Sequence, residues 1–443
     1  MTFDELNLNT PLLNALNDMG FSQPTTIQYK AFSVIMSGKD VVGIAQTGTG
    51  KTFAYLLPCL RQWKFSKDKV PQVLILVPTR ELVVQVSEEI KKLAKYMSVT
   101  TLGVYGGTNI NTQTNEALKG SDIVVATPGR LIDLVMKGAL KIKSIKKLVI
   151  DEVDEMLNLG FRAQLTMILD MIPQRRQNIL FSATLTDEVE DLIHQYFNQP
   201  VKVEAAPIGT PLANIIQSAY HVPNFYTKVN LLTILLSRKE EMQKVLVFTS
   251  TKQLADQLFE KLEPEFPEQL GVIHSNKSQN HRFNTVKQFH EGNCRVLIAT
   301  DVVARGIDIS EVTHVINFDI PELPENYIHR IGRTGRADKK GIAITFITPK
   351  DTDARNSIEA LMNYKIPEAA LPKDLKISDQ LTKDEMPKLY QPNMDLKAPT
   401  KRIYGVAFHE KKDKNKKVPS KVRHSEKMRA KYGKPKTRGQ KGK

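Results

Sequence analysis

Cysteine is scarce. The 443 residues hold two, Cys59 and Cys294, far apart and in no CxxC spacing. That gives no support for a thiolate zinc site or a disulfide framework, and it points to a reducing compartment. Long apolar runs are missing too. No stretch approaches the roughly 18 residues that a membrane-spanning helix needs. The opening "MTFDELNLNT" is acidic and polar, so it does not read as a signal peptide. The expected location is the cytoplasm, with no membrane partner. The sole tryptophan, Trp63, is most simply a packing residue. Excess charge is absent from most of the chain. Residues 401–443 carry 17 basic and 3 acidic side chains, whereas the other 400 residues carry 46 and 45. A polyanion partner is therefore expected first at the tail.

What is present is a repeating alternation. Short β-branched runs are each followed by a polar or Gly-rich turn and a helix-like pattern. In the first half they are 41–45, 73–77, 122–126, 148–150 and 178–181. In the second half they are 245–248, 271–273, 295–299, 314–318 and 343–347. Strands that are apolar throughout and alternate with helices indicate parallel sheets covered on both faces. Two such sets imply two tandem α/β domains. The expected boundaries are 1–205, a Pro/Gly/Ala-rich linker at 206–215, 216–365, a connecting extension at 366–400, and a basic, disordered tail at 401–443. In open parallel sheets, ligands bind beyond the carboxyl ends of the strands, and each conspicuous motif here directly follows a strand.

"AQTGTGKT" (45–52) is the first such motif. Gly48 and Gly50 let the loop wrap phosphates with backbone N–H groups. Lys51 supplies a point charge, and the Thr52 hydroxyl can ligate Mg²⁺. The second is "LVIDEVDEML" (148–157). Its acids suit the N-terminus of a helix, which favours negative charge. The phosphate loop supplies another use. Asp151 is placed to hold the Mg²⁺ of a bound nucleotide, and Glu152 to deprotonate the attacking water. Glu155 keeps the helix N-terminal reading. The Gln28 amide offers one donor and one acceptor, the pair that the adenine N6/N7 edge needs.

"DEVD" (151–154) resembles the DEAD-box of the RNA helicases, with Val153 where that family usually has Ala. Other motifs of the family follow in order: "GFSQPTTIQ" (20–28), "PTRELVVQ" (78–85), "GG" (106–107), "TPGR" (127–130) and "SAT" (182–184). In the second half "VFTST" (247–251), "QNHR" (279–282), "ATDVVARGID" (299–308) and "HRIGRTGR" (329–336) match. The resemblance covers about residues 1–365, and the two-domain compactness with a basic tail resembles the bacterial RhlE-like group. Val83 is a second departure from the usual Ala. Both changes only enlarge a small apolar side chain, and activity is expected to persist.

The resemblance implies two RecA-like domains that bind one ATP with Mg²⁺ and hydrolyse it when RNA is bound. The nucleotide set is Phe21, Gln28, Thr47, Gly48, Thr49, Gly50, Lys51, Thr52 and Asp308, with Thr52 and Asp151 at the metal. Glu152, Lys51, Arg333 and Arg336 are the catalytic candidates. Arginines that reach the γ-phosphate from another domain contribute on the order of 10³–10⁵ in rate. Asp154, Ser182, Thr184 and His329 look like links that couple the domains. RNA is expected at Thr79, Arg80, Gly107, Thr127, Arg130, Gln279, Arg282 and Thr300, through sequence-independent phosphate and sugar contacts. Expected partners are single-stranded RNA, short duplexes, and a ribosomal precursor or RNA-degradation complex. Two other readings stand beside this one: a DNA-directed helicase or translocase, and an RNA-binding clamp or annealing chaperone.

Overall fold

The computed structural model describes residues 2–45, 48–204, 214–301, 312–335, 340–382 and 385–386. Two parallel sheets organise them. The first contains β1 (Val41–Ile44), β2 (Val73–Leu76), β3 (Thr101–Val104), β4 (Ile123–Ala126), β5 (Lys147–Asp151), β6 (Gln177–Ser182) and β7 (Val201–Glu204), in the order β3-β4-β2-β5-β6-β1-β7. The second contains β8 (Ile215–His221), β9 (Val245–Thr249), β10 (Leu270–Ile273), β11 (Val296–Thr300), β12 (His314–Asn317) and β13 (Gly341–Ile347), in the order β10-β11-β9-β12-β13-β8. Every strand pair among the described residues is parallel.

Period-2 side-chain alternation divides each interior strand between two apolar layers. In the first lobe Val41, Ile75, Val125, Val149 and Ile179 face one layer. Val42, Leu74, Val124, Leu148 and Leu180 face the other. The family-atypical Val83 and Val153 are both fully buried, in opposite layers, where a larger apolar side chain has packing partners. The second lobe repeats the arrangement, with Val245, Val247 and Ile316 on one side and Leu246, Phe248 and Val315 on the other.

All ten runs singled out in the sequence lie in or overlap these strands. Three further strands, β3, β7 and β8, are sheet edges; the fourth edge, β10, is among the ten runs. The three alternate in burial because one side meets solvent or loops, so they lack an apolar run. The described residues after Ile366 hold no regular element of length, yet they pack against the second lobe. Ala219 on β8 donates to the Pro367 carbonyl, and Ala369 donates back to Ala219. Leu371 and Leu375 rest on the second-lobe core. The Phe225 amide, at the start of the helix Phe225–Leu236, donates to Glu385 Oε1 at 2.6 Å. Residues 2–386 lie within one compact unit, and the basic tail lies outside the described residues.

Candidate active site

Because all strands of the first sheet run the same way, the loops after β1, β2, β3, β4, β5 and β6 emerge at one edge. The loop after β1 ends at Gly50, which has φ +90° and caps the helix Lys51–Arg61. A side chain at Gly50 would collide with the Gln28 amide, which packs directly on it. Gln28 Nε2 donates to the Gly50 carbonyl at 3.1 Å, while Gln28 Oε1 accepts from Thr25 N at 3.0 Å. The amide thus ties the helix Thr26–Met36 to the phosphate loop, and one N–H remains for a ligand. Phe21 is 45% exposed at the rim, edge-on to Phe53 at 5.3 Å.

Lys51 is buried, and its Nζ has no hydrogen-bond partner. An ammonium with no such partner is costly inside a protein unless something anionic is meant to meet it. Its charge acts on Asp151, Glu152 and Asp154. Asp151 ends β5 and is held at both oxygens: Oδ1 accepts from Glu152 N at 3.0 Å and Oδ2 from the Tyr55 hydroxyl at 3.0 Å. Burial pushes the Asp151 carboxyl up, with Lys51 pulling the other way. Burial also pushes the Tyr55 hydroxyl well up, and the Asp151 charge adds to it.

Glu152 has left-handed backbone, φ 52° and ψ 49°, which is unfavourable for a residue with a side chain and is concentrated at functional sites. It swings the chain from β5 into the helix Val153–Asn158. Desolvation raises the Glu152 carboxyl to about 7, against the pull of Lys51 and of Arg333 from the second lobe. Asp154 is nearly inaccessible. Its Oδ2 accepts from Ala183 N (3.2 Å), Thr184 N (3.0 Å) and Thr184 Oγ1 (2.9 Å), and His329 Nε2 stands 3.9 Å away. Burial acts upward on Asp154, but His329, Lys51 and these hydrogen bonds outweigh it and hold the carboxyl below its ordinary value. Ser182 turns inward, donating to the Thr184 carbonyl at 2.7 Å. Glu155 is buried within its helix and stays outside this group.

Along the same edge, Thr79 caps the helix Arg80–Leu93 by accepting from Leu82 N. The Arg80 guanidinium packs on Gly107, where φ is +82° and an added side chain would strike it. Thr127 stands at the N-cap position of the helix Pro128–Met136, its side chain making no capping bond. Arg130 is anchored on Gln113 Oε1 (3.1 Å) and the Thr108 carbonyl (3.0 Å). In the second lobe, Gln279 Nε2 donates to Glu81 Oε1 at 3.1 Å, and the Arg282 Nη1–Glu81 Oε1 distance is 3.0 Å. Arg282 also bonds Gln279. Thr300 is buried at the end of β11. The structure therefore brings together Lys51, Asp151, Glu152, Asp154, Ser182, Thr184, His329 and Arg333. Gly48, Thr49 and Thr52 frame the start of their helix. Thr47, Asp308 and Arg336 lie outside the described residues, as do residues 206–213 of the expected linker.

Comparison with known proteins bears on the same residues. Residues 25–192 match the DEAD/DEAH box helicase family, and residues 227–338 match the helicase conserved C-terminal domain. Over 367 residues the chain is 42% identical to the DEAD-box ATP-dependent RNA helicase CshA of Geobacillus kaustophilus, covering 82% of this chain and 77% of that protein. CshA of Bacillus subtilis is 39% identical over 366 residues, 83% of this chain and 73% of that protein. The solved structure of S. cerevisiae Dbp5 bound to RNA and ADP BeF3 superposes with a TM-score of 0.76 at 30% identity, covering 83% of this chain and 95% of that one. The chain belongs to the DEAD-box helicase family. Both sheets are accordingly RecA-like.

Three groups in this DEAD-box protein were not singled out by sequence reasoning. Glu81 receives both Gln279 and Arg282, 198 and 201 positions away. Tyr55 bonds Asp151 across 96 positions. Arg330 is 1% exposed and forks onto Asp301 at 2.6 and 2.8 Å, donates to the Asp319 carbonyl at 2.6 Å, and lies over the Phe248 ring at 5.1 Å. It fixes Asp301, the residue directly after Thr300. The available signal was charge economy: three arginines share "HRIGRTGR", and only one, Arg330, lies within the helix Pro324–Ile331.

Proposed function

We propose that the protein is an ATP-dependent RNA helicase that hydrolyses ATP when RNA is bound and separates short duplexes locally. One observation carries the reading: side chains of the two lobes meet at the site, His329 Nε2 standing 3.9 Å from Asp154 Oδ2 and Arg282 Nη1 3.0 Å from Glu81 Oε1. A hydrolytic site completed by two lobes is active only when they meet, and a strand bound across both stabilises that meeting. Glu152 takes the proton of the attacking water, Lys51 and Arg333 face the phosphates, and Arg336 joins them. Gln28 and Phe21 hold the base, Asp308 the ribose, and the backbone of 47–50 the phosphates. Bound Mg²⁺ would neutralise phosphate charge. The buried Lys51 Nζ without a hydrogen-bond partner and the Asp151 carboxylate beside it suit a metal–phosphate group, with the Thr52 hydroxyl as the second protein ligand.

RNA runs over Thr79, Arg80, Gly107, Thr127 and Arg130, then over Gln279, Arg282 and Thr300. Asp154, Thr184 and Ser182 pass lobe closure to that surface. The solved relative that binds RNA together with ADP BeF3 supports both ligands. The basic tail supports the RhlE-like subgroup, whereas the matched relatives carry the CshA name. A ribosomal precursor or RNA-degradation complex is the proposed setting. The two free, buried cysteines support a cytoplasmic one, and no helix among the described residues is long and apolar enough to cross a membrane.

The tail's charge favours a second activity, annealing. Deleting residues 401–443 separates the two. A helicase retains RNA-stimulated hydrolysis and ATP-dependent displacement of a short duplex, with weaker RNA binding and a shallower salt dependence. Loss of duplex remodelling with hydrolysis intact would place the function in the tail instead.

A further inference from the structure

We propose that the Tyr55 hydroxyl is a positioning group for the metal-bearing carboxylate, setting how tightly the site holds Mg²⁺ with its nucleotide. The inference rests on the reading of Asp151 as that carboxylate. The terminal torsion of an aspartate is broad, so an isolated carboxylate can rotate about it. Here two donors fix its plane. The Glu152 backbone N–H holds Oδ1, and the Tyr55 hydroxyl holds Oδ2, each at 3.0 Å. Each oxygen keeps one lone pair for the metal or its waters.

Tyr55 is itself immobile. It is fully buried, and its ring lies 5.7 Å from that of Phe181 on β6. It sits on the helix Lys51–Arg61, one turn beyond Thr52. The helix that carries the Lys51 charge and the Thr52 hydroxyl thus also sets the orientation of Asp151, which comes from β5. Mg²⁺ demands near-ideal octahedral geometry, so two protein ligands on separate elements need a fixed mutual orientation. Packing alone does not call for the hydroxyl, since a phenyl ring would fill the same space. A buried hydroxyl is costly without a partner, and here the partner is the carboxylate. Groups that orient a metal's ligands typically contribute 10- to 100-fold in affinity.

The test uses the full chain, a fluorescent ADP analogue and a Mg²⁺ titration. Tyr55→Phe is expected to need about tenfold more Mg²⁺ for half-maximal nucleotide binding. Its binding in EDTA and its melting temperature should stay near those of the wild type. Tyr55→Leu, which keeps an apolar contact with Phe181, should show the same Mg²⁺ shift if Tyr55→Phe proves unstable. Equal losses with and without Mg²⁺ would assign Tyr55 a packing role and overturn the inference. An unchanged Mg²⁺ requirement in both variants would overturn it as well. Asp151→Asn separates the underlying reading: it should abolish the Mg²⁺ dependence, and if it does not, the assignment of Asp151 fails and the inference with it.

Discussion

The Arg282 guanidinium of the second lobe lies 3.0 Å from the Glu81 carboxylate of the first, and both side chains are at least nine-tenths buried. Glu81 also accepts from Gln279. A buried pair that loses one partner typically costs about 3–5 kcal/mol, because the other charge is stranded. Here the lobes can part instead, so the cost should fall on closure. Glu81→Gln is expected to weaken RNA binding in the presence of a non-hydrolysable ATP analogue by about tenfold or more, corresponding to at least about 1.4 kcal/mol. Nucleotide binding without RNA should change little. RNA affinity that ignores Glu81 would remove this tie from the account.

Glu152 gives a pH signature that needs no turnover. Its carboxyl rises from 4.5 to about 7 in the folded protein, mainly through desolvation. Between those values the native state holds a proton that the unfolded chain has lost. Stability therefore falls as pH rises across that window. Glu152→Gln removes the ionisation. Without nucleotide and with chelator present, the variant should melt above the wild type at pH 8, and the gap should close toward pH 5. A gap that is constant with pH would contradict the assigned shift.

The segment after Ile366 should behave as part of the second lobe. Leu371 and Leu375 cover its core, and Glu385 caps the helix that begins at Phe225. Burying a leucine contributes about 1.5–3 kcal/mol when complete, and these two are partly buried. A chain that ends at residue 365 is expected to melt several degrees below one that ends at 386. Coincident melting curves would show that the packed extension adds nothing.

The interior of both sheets was legible in the sequence for a physical reason. Parallel strands covered on both faces need apolar side chains at successive positions, and β1, β2, β4, β9 and β11 show this. The edge strand "VKVE" at β7 has one wet side and reads like a turn of polar chain. The same division runs through the site. Lys51, Thr52, Asp151 and Glu152 announce themselves because phosphate and metal chemistry fixes their local spacing and their place after strands. Glu81, Tyr55 and Arg330 do not, because each is defined by a partner far away in sequence or on another element. Gln28 falls between. Its residue type suited a base contact, but its tie to the Gly50 carbonyl depends on the fold.

The central claim is that one ATPase site spans the two lobes and that RNA completes it. The most direct test is steady-state ATP hydrolysis by the full chain with single-stranded RNA, with single-stranded DNA and with neither, for wild type and Glu152→Gln. The account predicts stimulation by RNA alone, and at least about a 10²-fold loss in the variant, as expected when a general base is removed. Equal stimulation by DNA, no stimulation by RNA, or full activity in Glu152→Gln would contradict it.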